Sequence, residues 1–250
     1  MQKKHNIALN IALLICVLLL IDISLCSAID GQTDNSPDWF YPSWAAEAKY
    51  NKPIVVRDTD SAIGRYSLKT KEIGLKDLAR VHGHMCDGLV IAFIEIKAVL
   101  HKLFPDGVID RTDLRAVSKN GPCWVDAVSL MTGARINFKT LRIDNVVGDG
   151  FIIQRISTGD AYEVHLKTGV FPEEQAVLEN NIRRLWVENR PVSSKDIDRF
   201  ERMAADFNKK LLNTSQDKIL EIKHLSDYRF IFNDLYGDRG DVINKYAPRE

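Results

Sequence analysis

Cysteine is scarce in this chain, with four in 250 residues, and two of them, Cys16 and Cys26, fall within the first 28 positions. A small disulfide-framework fold, which needs several bridges, is thereby excluded. Proline (8) and glycine (14) are too few for a low-complexity or fibrous protein. Charge of neither sign dominates, because 34 Lys and Arg balance 34 Asp and Glu. The chain therefore lacks the electrostatic footprint that draws nucleic acid or anionic membrane. Four common catalytic signatures are also missing: Gly-x-Ser-x-Gly, His-Glu-x-x-His, the phosphate-binding Gly-x-x-x-x-Gly-Lys and a complete Gly-x-Gly-x-x-Gly. Their absence removes the usual hydrolase and nucleotide-binding sites, and Gly148-Asp149-Gly150 reads as a turn. What remains is 45% hydrophobic and 27% charged, the composition of an ordinary globular protein with no internal repeat.

The N-terminus has the three parts of a secretory signal. Lys3 and Lys4 precede an apolar stretch from Ile7 to Ile21, interrupted by Asn10 and ended by Asp22, and Cys26-Ser27-Ala28 supplies the small-residue end. The apolar stretch is shorter than the roughly 18 residues a spanning helix needs. Cleavage after Ala28 and export to the periplasm or beyond is the expectation, without stable membrane insertion afterwards. A retained N-terminal anchor is the alternative, and lipid attachment at Cys26 is disfavoured by bulky Leu25. Loss of Lys3, Lys4 and Asp22 would leave a net charge of about −1.

Cleavage would leave Cys86 and Cys123 as the mature chain's cysteines. The first lies in Val81-His82-Gly83-His84-Met85-Cys86-Asp87-Gly88, the second in Asn120-Gly121-Pro122-Cys123-Trp124-Val125-Asp126. Imidazole and thiolate together suit zinc and neighbouring transition metals, and a His-x-His-x-Cys turn can aim several donors at one point. The candidate metal ligands are His84, Cys86 and Cys123, with His82 either a ligand or an acid/base group beside the metal. Asp126 is a candidate for orienting a histidine, and equally for meeting helix N-terminal amides. Lys139 is a candidate contact for an anionic ligand, and Trp124 reads as core or pocket wall. In an oxidising compartment the same two cysteines could instead form a plain disulfide or cycle as a redox pair. His101, His165 and His224 are isolated and read as surface or packing residues.

Periodicity places these motifs on structure. Leu75, Leu78 and Val81 have helical spacing, and Leu89 to Leu103 is a long apolar helical run, so the histidine motif sits at a helix junction with Asp87 as a cap. Leu114 to Ser118 reads as a strand, and Pro122 starts a short buried helix that ends at Thr132-Gly133. Both cysteines thus fall at helix starts, where the dipole favours a thiolate. Pro53 to Val56, Leu141 to Ile143, Phe151 to Ser157 and Ala161 to Leu166 read as strands, the last two as a hairpin about Thr158-Gly159-Asp160. Pro172 to Asn189 and Ser194 to Leu212 read as helices, and Trp39, Phe40, Tyr41 and Trp44 as an aromatic strap. Helices first, then strands mixed with helices, make the fold class α+β with a mixed or antiparallel sheet.

The two motifs together resemble the FmdE family, named for the E component of formylmethanofuran dehydrogenase, whose core carries His-Gly-His-x-Cys-Pro-Gly and, downstream, Asn-x-x-Cys-x-Val-Asp-Ala followed by Thr-Gly-Cys. The matching residues are His82, Gly83, His84, Cys86 and Gly88, then Asn120, Cys123, Val125, Asp126, Ala127, Thr132 and Gly133. The likeness runs over residues 72 to 170. It implies an α+β core, often as a homodimer, with a metal-binding cavity built from the His and Cys motifs. The chain departs from the pattern at three places: Asp87 replaces a proline, Ala134 replaces a cysteine, and Asn137-Phe138-Lys139 stands where the family has Gly-Lys-Gly. The missing third cysteine favours an open metal site over a closed one. No cysteine follows Cys123, so the expectation is that the C-terminal zinc finger of some members is absent.

These readings divide the chain into a signal peptide (1–28), an N-terminal strap (29–71), a metal-binding core (72–190) and a C-terminal helical extension (191–250). They predict an exported protein that binds zinc or another divalent transition metal, or a metal-bound small ligand. A metal-dependent enzyme and a Cys86/Cys123 redox protein are the alternatives.

Overall fold

The computed structural model describes residues 37–232 and 245–246. The signal segment and most of the polar lead-in lie outside the described residues. Contacts divide the chain after Trp39. In the second unit the elements run α1 (Ser43–Ala46), β1 (Ile54–Arg57), β2 (Lys71–Ile73), α2 (Leu75–His82), α3 (Asp87–Leu103), β3 (Val108–Asp110), β4 (Leu114–Ser118) and α4 (Pro122–Thr132). After two single 3-10 turns and β5 (Leu141–Ile143) come β6 (Phe151–Arg155), β7 (Ala161–Leu166), α5 (Glu173–Val187), α6 (Ser194–Asn213), α7 (Gln216–Ile219) and β8 (Leu220–His224). The fold is α+β. Among the described residues no helix is long and apolar enough to cross a membrane.

Helix α3 is the axis of the core. It is apolar nearly all round, and such a helix must be buried on every side. Leu89, Val90, Ala92, Phe93, Ile96, Val99 and Leu100 are fully covered, each large side chain contributing about 1.5–3 kcal/mol of transfer free energy. Against it lies a five-stranded sheet in the order β5-β4-β6-β7-β8, antiparallel except for the β4–β5 pair. Alternation along β4 turns Leu114, Ala116 and Ser118 inward, where all three are buried. A smaller sheet, β2-β1-β3, pairs β1 antiparallel to β2 and parallel to β3. The amphipathic α6 closes the core with Ala204, Phe207, Leu211 and Leu212, the i, i+3, i+4 stripe of a surface helix. By contrast α5 buries a single residue, Gln175.

The aromatic strap packs largely as expected. The Tyr41 hydroxyl accepts from Asn51 Nδ2, and the Arg80 guanidinium lies 5.5 Å from the Phe40 ring centre. Strands β2, β3 and β8 have no counterpart in the sequence reading. The first two are three residues each, too short for alternation to register, and β8 follows α7 without a break.

Candidate metal centre

Two helix starts converge on the site because the sequence ends and begins helices there. Helix α2 stops at Gly83, whose φ of 100° is open to glycine and costly for other residues. Three residues later the chain is extended at Cys86 (φ −92°, ψ 171°), which holds the N-cap position of α3. This corrects the expectation that Asp87 is the cap. Asp87 is instead the first helical residue, its Oδ1 accepting from the Gly88 amide at 2.8 Å. Helix α4 begins with Pro122 after extended Gly121 and ends at Gly133 in the left-handed region (φ 72°). Cys123 therefore sits in the first turn of α4 as Cys86 sits at the head of α3.

The donors form a compact group. Cys86 Sγ lies 3.3 Å from Cys123 Sγ, and His82 Nε2 lies 3.6 Å from Cys123 Sγ and 3.9 Å from Cys86 Sγ. Neither cysteine is in a disulfide. Asp126, one turn into α4, accepts from His82 Nδ1 at 2.8 Å. The His82 side chain is only 5% exposed, whereas His84 is at the surface, its ring centre 4.7 Å from that of His82. One donor atom each from His82, His84 and Cys86 lies within 4.8 Å of the others. The cluster can hold a metal ion.

The donor set also fits in detail. With Zn–S of about 2.3 Å and Zn–N of about 2.0–2.1 Å, the edges of a tetrahedral ligand shell are roughly 3.4–3.8 Å. The observed edges of the His82–Cys86–Cys123 triangle, 3.3, 3.6 and 3.9 Å, bracket that range. The sequence motif puts His84 ahead of His82 as a ligand. In the fold it is His82 whose nitrogen faces both sulfurs, with His84 at the mouth.

The two thiols are electrostatically unequal. Cys86 is lowered to about 6, first because the Cys123 thiol donates to it, and further by the Leu89 amide and the neighbouring His84 and His82; burial opposes the shift. Cys123 is raised, because it is the donor to a thiolate and is itself buried. The metal-free pair thus carries one negative charge shared over two sulfurs at neutral pH.

Packing fixes this geometry from behind. A Cβ on Gly88 would stand 3.0 Å from the Trp124 ring and 3.1 Å from Cys123 Sγ, so glycine is what lets the two helix starts touch. Lys119 Nζ lies 3.6 Å from the Trp124 ring centre and pairs with Asp149. On the other side Gln175 of α5 donates to Asp87 Oδ2 at 2.6 Å, and burial raises the Asp87 carboxyl. Gln175 and Asp149 gave no signal in the sequence, since each acts through one long-range contact. His165 and His224 lie apart from the site, within 3.5 Å of Glu221 and 3.7 Å of Asp160 respectively.

Two sequence readings change. Ala134 follows the far end of α4, about 16 Å along the helix from Cys123 at 1.5 Å per residue. A cysteine there could not join the same ion, so its absence says nothing about whether the site is open. Lys139 likewise lies beyond that end, in a cleft of its own lined by Arg115 and Phe230.

No curated protein matches the chain. Among solved structures it is similar to an FmdE-like protein of the tungsten formylmethanofuran dehydrogenase type from Syntrophus aciditrophicus, at 17% identity and a TM-score of 0.40, over 61% of this chain and 72% of that one. The profile of the FmdE family, described as FmdE, molybdenum formylmethanofuran dehydrogenase operon, matches residues 81–221. That span holds both cysteine motifs, Asp126, the five-stranded sheet and helices α3 to α7, and the chain belongs to the FmdE family.

Proposed function

We propose that this protein is an exported carrier or binder of a single transition-metal ion, zinc by its donor set, held by His82 Nε2 and the sulfurs of Cys86 and Cys123. The observation that carries the reading is the donor triangle with near-tetrahedral edges. His84 stands at the mouth, where it either takes the fourth position or yields it to a small ligand. Two thiolates and a neutral imidazole match the softness of zinc better than that of calcium or magnesium. The signal-like pattern of residues 1–28 supports export.

The test is elemental analysis of the purified mature protein, with free thiols counted in parallel, beside Cys86→Ser and Cys123→Ser. About one metal per chain, lost in both variants, is the expected result. Metal-free protein that also fails to take up zinc under reducing conditions overturns the proposal. The 3.3 Å approach of the two sulfurs and their unequal protonation favour a second reading, a dithiol that gives two electrons and two protons to an oxidant and closes to a disulfide. A reversible thiol–disulfide equilibrium without metal uptake would support it.

A further inference from the structure

The face of the five-stranded sheet turned away from α3 carries a second feature that the metal centre does not use. Alternation puts Arg115 on that face of β4, opposite Gln154 of β6. The segment Tyr228–Phe232 crosses it as a strap, held where Gln154 Nε2 donates to the Tyr228 carbonyl at 3.2 Å and Arg142 donates to the Ile231 carbonyl at 3.0 Å. Between strap and sheet is a cleft of about 400 Å³, lined by Arg115, Lys139, Thr112, Thr140, Phe230 and Phe232.

Its charge is unbalanced. Neither Arg115 nor Lys139 has a carboxylate partner among the described residues, and the lining includes no acid. Nearby carboxylates are engaged elsewhere: Asp110 by Lys245 Nζ at 3.0 Å, and Asp113 by Arg155 Nε at 3.0 Å. The adjoining cleft shows the contrast, since there Arg142 is matched by Asp144 at 3.3 Å. Arg115 also buries an Nε that has no hydrogen-bond partner, while its guanidinium lies 5.6 Å from the Phe230 ring centre. Lys139 holds a left-handed backbone (φ 56°) that glycine would adopt with less strain. The walls are aromatic: the Phe230 and Phe232 rings are nearly parallel (11°), with centres 6.3 Å apart.

We propose that this cleft binds a small organic anion with a flat apolar body, an aromatic carboxylate being the class that fits. The carboxylate meets the Arg115 fork and the Lys139 ammonium, with the threonine hydroxyls beside them, and the ring lies against the phenylalanines. Size allows it, since a cavity of about 150 Å³ already admits benzene. The site is independent of the metal centre, being on the opposite face of the sheet.

The test is calorimetric titration of the full mature protein with 2-naphthoate, beside 2-naphthamide, which keeps the ring and loses the charge. Saturable one-to-one binding is expected, weakened about tenfold or more in each of Arg115→Gln and Lys139→Gln. The amide should bind weaker by a similar factor, and Cys86→Ser should bind naphthoate as the parent does. Thermal melts of the two cation variants establish that they are folded. No saturation at millimolar naphthoate, equal affinity for the amide, or unchanged affinity in both folded cation variants would overturn the assignment.

Discussion

Asp126 Oδ2 stands 2.8 Å from His82 Nδ1, and this contact decides which face the imidazole shows to the sulfurs. An ionised carboxylate only accepts, so the ring proton sits on Nδ1 and the lone pair of Nε2 points at Cys86 and Cys123. Asp126→Ala should lower zinc affinity about 10–100-fold. Because the Asp126 side chain is 42% exposed, stability should change by no more than about 0.5 kcal/mol. Competition against a chromogenic chelator measures the first and chemical denaturation the second. Equal zinc affinity in the variant would show that Asp126 serves only the helix end.

The unequal thiols give a reactivity order. In reduced, metal-free protein, Cys86 should alkylate with a midpoint at about pH 6 and reach its plateau near neutrality, with Cys123 reacting later. Since the hydrogen bond from Cys123 is the largest cause of the lowering, Cys123→Ala should move the Cys86 midpoint up toward the ordinary thiol value of about 8.5. Peptide mass spectrometry after timed iodoacetamide pulses resolves the two residues. A faster Cys123 would reverse the assignment of donor and thiolate.

Gly88 separates packing at the centre from folding at large. Its missing side chain leaves room for the Trp124 ring and Cys123 Sγ, and the atoms a methyl would meet belong to side chains that can give by a few tenths of an ångström. Gly88→Ala should therefore still fold, with a cost of about 1–3 kcal/mol for overpacking. It should hold zinc at least tenfold more weakly, because the sulfurs no longer meet at ligand spacing. Parent-like zinc affinity would mean that the helix starts can shift together.

Glu95, in the middle of α3, is completely buried with neither carboxyl oxygen hydrogen bonded. Burial raises it well above the usual carboxylate range, against a smaller opposing effect of the Leu166 amide. The folded state therefore keeps its proton after the unfolded chain has released it. Stability is full below the unfolded value of about 4.5 and falls as pH rises from there to the folded value, by about 1.4 kcal/mol per unit from this group. Glu95→Gln should remove that slope, and Glu95→Met should be more stable than the parent at pH 8 by about 1–3 kcal/mol. Urea denaturation at pH 5 and pH 8 compares them, and an identical slope in parent and Gln variant would assign the pH dependence elsewhere.

Much of the architecture was readable because the determining residues are local. The apolar run after Gly88 can be satisfied only by burial on all sides, and Pro122 and Gly133 bracket α4 within a dozen residues. The donors were readable because imidazole and thiolate within five positions rarely serve packing alone. Which histidine turns inward was not readable. Two residues apart, His82 and His84 look alike in sequence, and the choice falls to a carboxylate 44 positions away on another helix. Ala134 misled for the matching reason, since sequence shows a motif position without the length of the helix between it and Cys123.

The slight anchorage of α5 has a kinetic meaning. A helix that buries only Gln175 loses little apolar contact when it lifts away, so its amides should exchange with solvent through local openings far below the energy of global unfolding. Those of α3, enclosed on every side, should exchange only when the whole domain opens. Each local opening frees Asp87 from its hydrogen bond with Gln175, next door to the thiolate of Cys86. The cluster thus borders one of the least persistent parts of the fold on one side and one of the most persistent on the other, so solvent and small molecules reach the sulfurs from the α5 side without disturbing the core.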